Sequence, residues 1–146
     1  MIRAFEPADL PAVMQIWLDT NIQAHDFIPA DYWTDNYKLV ENMLPQAELY
    51  VHEDETTRQV DGFTGLSGDY IEGLFVQVDA QSHGIGKQLL NHVKQLKPCL
   101  SLRVYQANAR AIRFYQREHF AIQSEGVDDT TGQREYVMVW KHGSRV

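Results

Sequence analysis

Between Tyr70 and Leu90 an apolar, strand-like run passes through the short loop Gln77-Val78-Asp79-Ala80-Gln81-Ser82-His83 into a helix that opens on Gly84 and Gly86. A helix beginning this way leaves its first backbone N–H groups unpaired at the positive end of the helix dipole. Such a terminus suits a phosphate, and the two glycines let an anion approach the backbone with no Cβ in the way. Lys87 and His83 stand ready to add positive charge. The same spacing also describes an ordinary tight strand-to-helix turn. It lacks the Gly-Lys-Ser/Thr ending of a triphosphate-binding loop and the Gly-x-Gly-x-x-Gly spacing of a dinucleotide site. His52, His83, His92, His119 and His142 show no His-x-x-x-His or Glu-paired spacing, and Cys99 is the single cysteine, so neither a metal centre nor an internal disulfide is expected. Cys99 itself, in Lys97-Pro98-Cys99-Leu100, reads as a small hydrophobe packed at the start of a buried strand.

Periodicity supplies the elements that must position this loop. Ile2-Arg3-Ala4 reads as a short strand. Pro7 suits a first helical turn, and Leu10, Val13, Met14 and Trp17 recur at the spacing of one helix face. Residues 23–29 read as a connector, and 30–44 as a second helix ended near Pro45. Strands are expected at 49–52, 60–66 and 70–76, with a polar turn at 54–58 and a tight turn at Gly68-Asp69, an antiparallel meander. Ile85, Leu89, Leu90, Val93 and Leu96 mark a third helix, and a strand follows at 100–104. Asn108 is a good N-cap for a fourth helix reaching Glu118, and strands near 121–127 and 134–140 close the chain. The expected order is β-α-α-β-β-β-α-β-α-β-β, a mixed α/β (α+β) fold. In it, 70–76 and 100–104 lie parallel, joined by a right-handed crossover.

Gln81-Ser82-His83-Gly84-Ile85-Gly86 resembles the Gln/Arg-x-x-Gly-x-Gly/Ala loop of the GCN5-related N-acetyltransferase (GNAT) superfamily. Downstream, Asn108-Ala109-Arg110-Ala111-Ile112-Arg113-Phe114-Tyr115-Gln116-Arg117-Glu118-His119-Phe120 is similar to the family's Asn-x-x-Ala-x-x-Phe-Tyr-x-x-x-Gly-Phe segment. Two matches in order and at the right separation are far more specific than either alone, and the element order fits from Met1 to about Trp140. Ala24-His25-Asp26-Phe27-Ile28 and Asp31-Tyr32-Trp33 further resemble a group of small bacterial members that includes peptidyl-lysine acetyltransferases. The resemblance implies the GNAT fold, acetyl-CoA as co-substrate with no metal, an N-acetyltransferase domain at 1–141 and a short tail at 142–146. It implies that the backbone of Leu74, Phe75 and Val76 pairs with the pantetheine arm, at a splay between that strand and the next. Gln81, Ser82, His83, Gly84, Ile85, Gly86 and Lys87 would hold the pyrophosphate. Asn108 would touch the cofactor, although a helix cap explains it nearly as well, and Tyr115 would lie near the thioester sulfur. Two residues depart from the pattern. His119 replaces the glycine after the helix, where φ is commonly positive and histidine is less at ease. Val78 replaces a frequent proline.

Acetyl transfer of this kind makes definite demands. A lysine-like ammonium, with a pKa of ~10.4, must lose a proton before it attacks, and a leaving thiolate of pKa ~8.5 is helped by a donor. Tyr115 is the expected acid. Two residues compete as base. Alternation puts Glu72, Leu74 and Val76 on one strand face and Ile71, Gly73 and Phe75 on the other, so Glu72 serves if its face lines the cleft. His25, in the loop that roofs the acceptor in this fold, titrates in a suitable range. Strand amides beside the thioester would polarise its carbonyl. His25, Phe27, Tyr32, Trp33 and Tyr70 are the expected acceptor-binding residues, with core packing the other account of the aromatic ones.

Charge narrows the partners. The 146 residues carry 13 Lys and Arg against 20 Asp and Glu, a formal net charge of −7. That argues against nucleic acid and anionic membrane as partners and favours a cationic acceptor, whether a protein lysine, an N-terminus or a small amine. No apolar leader or span of about 18 residues is present, so a cytoplasmic protein, monomer or homodimer, is expected. Direct attack within a ternary complex is the expected chemistry, and a non-catalytic acyl-CoA-binding module is the alternative.

Overall fold

The computed structural model describes residues 1–142, so of the expected tail at 142–146 only His142 falls within it. Among the described residues the chain runs β1 (Ile2–Ala4), α1 (Leu10–Ala24), α2 (Ala30–Met43), β2 (Glu48–Glu53), β3 (Val60–Ser67), β4 (Tyr70–Val76), α3 (Ile85–Leu96), β5 (Cys99–Tyr105), α4 (Ala109–Arg117), β6 (Ala121–Val127) and β7 (Arg134–Lys141). Single 3-10 turns occupy Pro7–Asp9, Leu44–Gln46 and Val78–Ala80. Helix α1 therefore starts after the proline turn rather than on it. Its end lies beyond the expected connector boundary, because the buried Thr20 and Asn21 side chains donate back to the carbonyls of Ile16 and Trp17 and leave no polar group unpaired there.

The seven strands form one sheet in the order β1-β2-β3-β4-β5-β7-β6. All neighbours are antiparallel except β4 and β5, which the α3 crossover makes parallel. Helices α1 and α2 cover one face, over a core of Val13, Met14, Trp17, Trp33, Val51 and Phe63. Helices α3 and α4 cover the other, over Leu66, Ile71, Leu90, Leu102, Phe120 and Met138. Each such fully buried aliphatic or aromatic side chain contributes roughly 1.5–3 kcal/mol by leaving water. No helix of the described residues is long and apolar enough to cross a membrane.

Three local expectations change. In β4, Gly73 lies opposite Gly65 while Ile71 lies opposite Leu66, so Glu72 is an extra, bulged residue. The bulge breaks the expected alternation: Ile71 and Leu74 both join the α3/α4 core, and Phe75 stacks on Phe63 in the other. Cys99 is half-buried, not a core residue, because Leu100, Leu102 and Val104 take the core-facing positions of β5. Its Sγ lies 3.5 Å from Asp69 Oδ2 in the β3–β4 turn. His119 does adopt the left-handed conformation, with φ of 74°. The α4 terminus keeps its usual closure, the Phe120 N–H donating to the Tyr115 carbonyl at 2.9 Å and the Phe120 ring packing on Tyr115.

Candidate active site

Strands β4 and β5 pair only at Tyr70 with Ser101 and Ile71 with Leu102. Beyond that point β5 continues to pair with β7 as far as Tyr105 and Glu135, while β4 continues to pair with β3. The β5-facing edge of β4 is thus left without a strand partner from Glu72 onward. A cleft of about 1140 Å³ opens there, lined by Leu74, Phe75 and Val76, by the end of α1 on one side of the sheet and by α3 and α4 on the other.

At one end of this cleft stands the loop into α3. Ser82 and Gly84 take positive φ values of 68° and 83°, which curls the backbone into a concave nest. No side chain caps α3, and its first helical bond runs from the Gln88 N–H to the Gly84 carbonyl at 3.0 Å. The N–H groups of Ile85, Gly86 and Lys87 consequently have no helical acceptor and favour an anion. Every expected loop residue lines the cleft except His83. Arg110, which no spacing in the sequence singles out, also lines it. Its guanidinium donates to Gln81 Oε1 at 3.1 Å and to Ser82 Oγ at 3.2 Å, and Gln81 Nε2 donates to the Val76 carbonyl at 3.0 Å. Loop, strand end and first turn of α4 are stitched together by these bonds.

Tyr115 and Asn108 come to the same cleft from α4. Tyr115 is only 8% exposed, wedged between Phe114 and Phe120. Burial pushes its phenol well above the ordinary value, so it is a neutral donor at any ordinary pH. Asn108 caps α4, its Oδ1 accepting the Ala111 N–H at 3.3 Å. That orientation turns Nδ2 toward His25 Nε2, 3.4 Å away. An amide nitrogen only donates, so Nε2 of His25 accepts and the ring proton resides on Nδ1, which is buried without a hydrogen-bond partner. Burial lowers the His25 pKa against the smaller opposing effect of the nearby Asn21 carbonyl, and the imidazole is neutral. Its ring stacks on Trp33 and meets Phe27 and Tyr105 edge-on.

Glu72, Phe27, Tyr32, Trp33 and Tyr70 do not line the cleft. Trp33 is 7% exposed and belongs to the core beneath His25, packed edge-on to Trp17, so the pocket-wall expectation gives way to packing for that residue. Phe27 and Tyr32 pack, part-buried, against the same core, and Tyr70 and Glu72 border a more polar face. Glu72 is exposed at the bulge, close enough to Tyr70 that its charge, after burial, is the next cause of that phenol's raised pKa. Tyr105 donates to Asp128 Oδ2 at 2.6 Å, and the Tyr32 hydroxyl lies 3.1 Å from that of Thr130, bridging α2 to the β6–β7 connection. Burial and the neighbouring Asp128 raise the Glu135 pKa. The site thus joins an unpaired strand edge, an amide nest and a neutral phenol, beside a face carrying Glu72, Asp128 and Glu135 against Arg103.

A sequence model of the acetyltransferase (GNAT) domain matches residues 45–122. The chain is 37% identical over 142 residues to peptidyl-lysine N-acetyltransferase YiaC of Escherichia coli (strain K12), covering 96% of each. It is 32% identical over 121 residues to peptidyl-lysine N-acetyltransferase YjaB of the same strain, covering 83% of this chain and 82% of that protein. The solution structure of the apo form of Escherichia coli YjaB superposes with a TM-score of 0.86 at 30% identity, covering 96% of both chains.

Proposed function

The chain belongs to the GNAT acetyltransferase family, and on that premise we propose that residues 1–141 transfer the acetyl group of acetyl-CoA to a primary amine, the side chain of a protein lysine, by direct attack in a ternary complex. The carrying observation is the early break in β4–β5 pairing, which leaves a free strand edge running into the amide nest. Leu74, Phe75 and Val76 hold the pantetheine arm as an added strand. The N–H groups from Gln81 to Lys87 hold the pyrophosphate, with charge from Lys87 and Arg110. The thioester supplies the activated acetyl group. Amides of β4 polarise its carbonyl as an oxyanion hole does. The amine nitrogen bonds to the carbonyl carbon and the carbon–sulfur bond breaks.

Two protons leave the ammonium over the reaction, one before attack and one as the amide forms. Glu72 takes the first through water at the acceptor face, where the bulge re-aims it. The second balances the charge of the departing thiolate. A phenol with a raised pKa is a weaker acid than a thiol of pKa ~8.5. Tyr115 therefore acts chiefly by donating a hydrogen bond to the thiolate as it forms. A second reading, with His25 as base, draws on its neutral imidazole at the cleft wall.

Support for a cationic acceptor comes from the carboxylates of Glu72, Asp128 and Glu135 on the open face, from the net charge of −7, and from the named activity of the two relatives. A cytoplasmic location goes with this reading, since acetyl-CoA and protein lysines meet there. The deciding experiment follows thiol release from acetyl-CoA over lysine peptides and small amines, with cofactor affinity measured by calorimetry. Lysine peptides are expected to release thiol fastest. Tight cofactor binding with no thiol release from any amine would replace this reading with an acyl-CoA-binding module.

A further inference from the structure

Strand β3 is buried along almost its whole length, and one of its most deeply buried side chains is polar: Thr64 is 0% exposed. Valine would suit a buried strand position of that shape equally well, and a hydroxyl taken out of water must find a partner. Thr64 finds one across the ladder. Its Oγ1 donates to the Gly73 carbonyl at 2.8 Å. Gly73 is the residue immediately after the Glu72 bulge.

The phase of the β3–β4 ladder says what that bond controls. The Gln77 N–H donates to the Asp61 carbonyl at 2.7 Å, so the Gln77 amide is turned toward β3. By the alternation of an antiparallel ladder, Phe75 opposite Phe63 and Gly73 opposite Gly65 turn their backbone groups the same way, and Leu74 and Val76 turn theirs to the open edge. Val76 agrees, since its carbonyl is reached at 3.0 Å by Nε2 of Gln81, a residue of the cleft. In a trans peptide the C=O and N–H point in opposite directions. Holding the Gly73 carbonyl on the β3 side therefore aims the Leu74 N–H into the cleft, which Leu74 lines. The same bond polarises that peptide and strengthens its N–H as a donor.

We propose that Thr64 is a positioning residue for acetyl transfer. Through the Gly73 carbonyl it fixes the plane of the Gly73–Leu74 peptide, so that the Leu74 N–H meets the thioester oxygen as negative charge develops there. The bulge makes such a brace necessary. An extra residue interrupts the ladder at Glu72, and from there on β4 has no strand on its other side, so the first peptide past the bulge is braced from one side alone. The proposal rests on the functional reading above, and Thr64 acts through the backbone without touching substrate.

Two substitutions separate the hydroxyl from the packing. Thr64→Val keeps the shape and removes the donor; Thr64→Ser keeps the donor and removes a buried methyl. Thiol release with a lysine peptide gives kcat, calorimetry gives acetyl-CoA affinity, and thermal melts give stability. Loss of an oxyanion donor costs about 10²–10³ in kcat, and a donor left in place but mis-aimed costs less. Thr64→Val is expected to lower kcat about tenfold with acetyl-CoA affinity held within about twofold, the mark of an interaction made in the transition state. Thr64→Ser should stay within about twofold of wild type in kcat although its Tm falls. An unchanged kcat in Thr64→Val, or a kcat that simply follows Tm across the two variants, overturns the proposal and leaves acetyl transfer intact. Wild type that releases no thiol from any amine defeats the functional reading instead, and the Leu74 amide then decides. A resonance shift of that amide on adding acetyl-CoA, present in wild type and Thr64→Ser and lost in Thr64→Val, upholds the aim of the N–H. The same shift in all three proteins, or none in wild type, overturns it.

Discussion

Tyr115 and His25 show how burial selects a protonation state before any substrate arrives. Packed between Phe114 and Phe120, the Tyr115 phenol stays protonated through the whole assay range, so it contributes no alkaline limb to the rate. Tyr115→Phe is expected to lower kcat about 10²–10³-fold while acetyl-CoA affinity, read by calorimetry, is preserved; an unchanged kcat removes the residue from the chemistry. His25 is neutral for the same physical reason, and the sign of its effect on stability follows. Its folded pKa lies below the ordinary value near 6.5, so the unfolded chain binds the proton more readily. Stability is full above about pH 6.5 and falls as pH drops from there through the folded pKa. Thermal melts between pH 5 and 7.5 should show that fall in wild type and a flatter profile in His25→Gln. Glu72→Gln should cost more in kcat/KM than His25→Gln; the reverse order would make His25 the base. Tyr115, Glu72 and His25 could be picked out as candidates from motif and chemistry. That His25 is neutral was not legible there, because the ring of Tyr105, which helps Phe27 and Trp33 enclose it, comes from the far end of β5.

The decisive elements are the loop into α3 and strand β4. Gly84 and Gly86 look alike in sequence and differ in role. Gly84 has a φ of 83° and open space where a Cβ would go, so Gly84→Ala strains the backbone by about 1–2 kcal/mol and should weaken acetyl-CoA binding. A Cβ on Gly86 would meet Leu74 and Phe114 at 3.5 Å, an ordinary contact, so Gly86→Ala should fold and bind nearly as wild type. Equal effects of the two substitutions on cofactor affinity would count against the nest. His119→Gly, at a position already left-handed, should stabilise α4 by about 1 kcal/mol, seen as a rise in Tm of about 3 °C. In β4 a Cβ on Gly73 would run into the Phe75 ring, so the small residue beside the bulge permits the stacking of Phe75 on Phe63. The glycine loop and the Asn108 cap were readable because helix starts obey local rules. The bulge was not, since it is a property of how two strands register against each other.

At the scale of the molecule, the acidic charge divides unevenly. The open face beside Tyr70 carries Glu72, Asp128 and Glu135, whereas the nest and the groove between α3, the end of α4 and the end of β7 gather cations and amides. A lysine peptide with basic flanks should therefore lose kcat/KM by a few-fold between about 0.05 and 0.5 M salt as its attraction to the face is screened, while a neutral-flanked peptide changes little. Stopped assays at the two ionic strengths check this. Sequence alone determined the element order and the positions of the glycine loop and of the α4 segment with its Asn108 cap, because periodicity, turn chemistry and helix termini act over a few residues; that histidine takes the left-handed position after α4 was not among them. Tertiary structure alone decided where β4 leaves β5, that Glu72 is the extra, exposed residue of a bulge, that Trp33 is core and Cys99 is not, and that residues as distant as Lys87, Arg117 and His142 share one groove. Each of those depends on pairing and packing between segments far apart in the chain, where no local pattern carries the information.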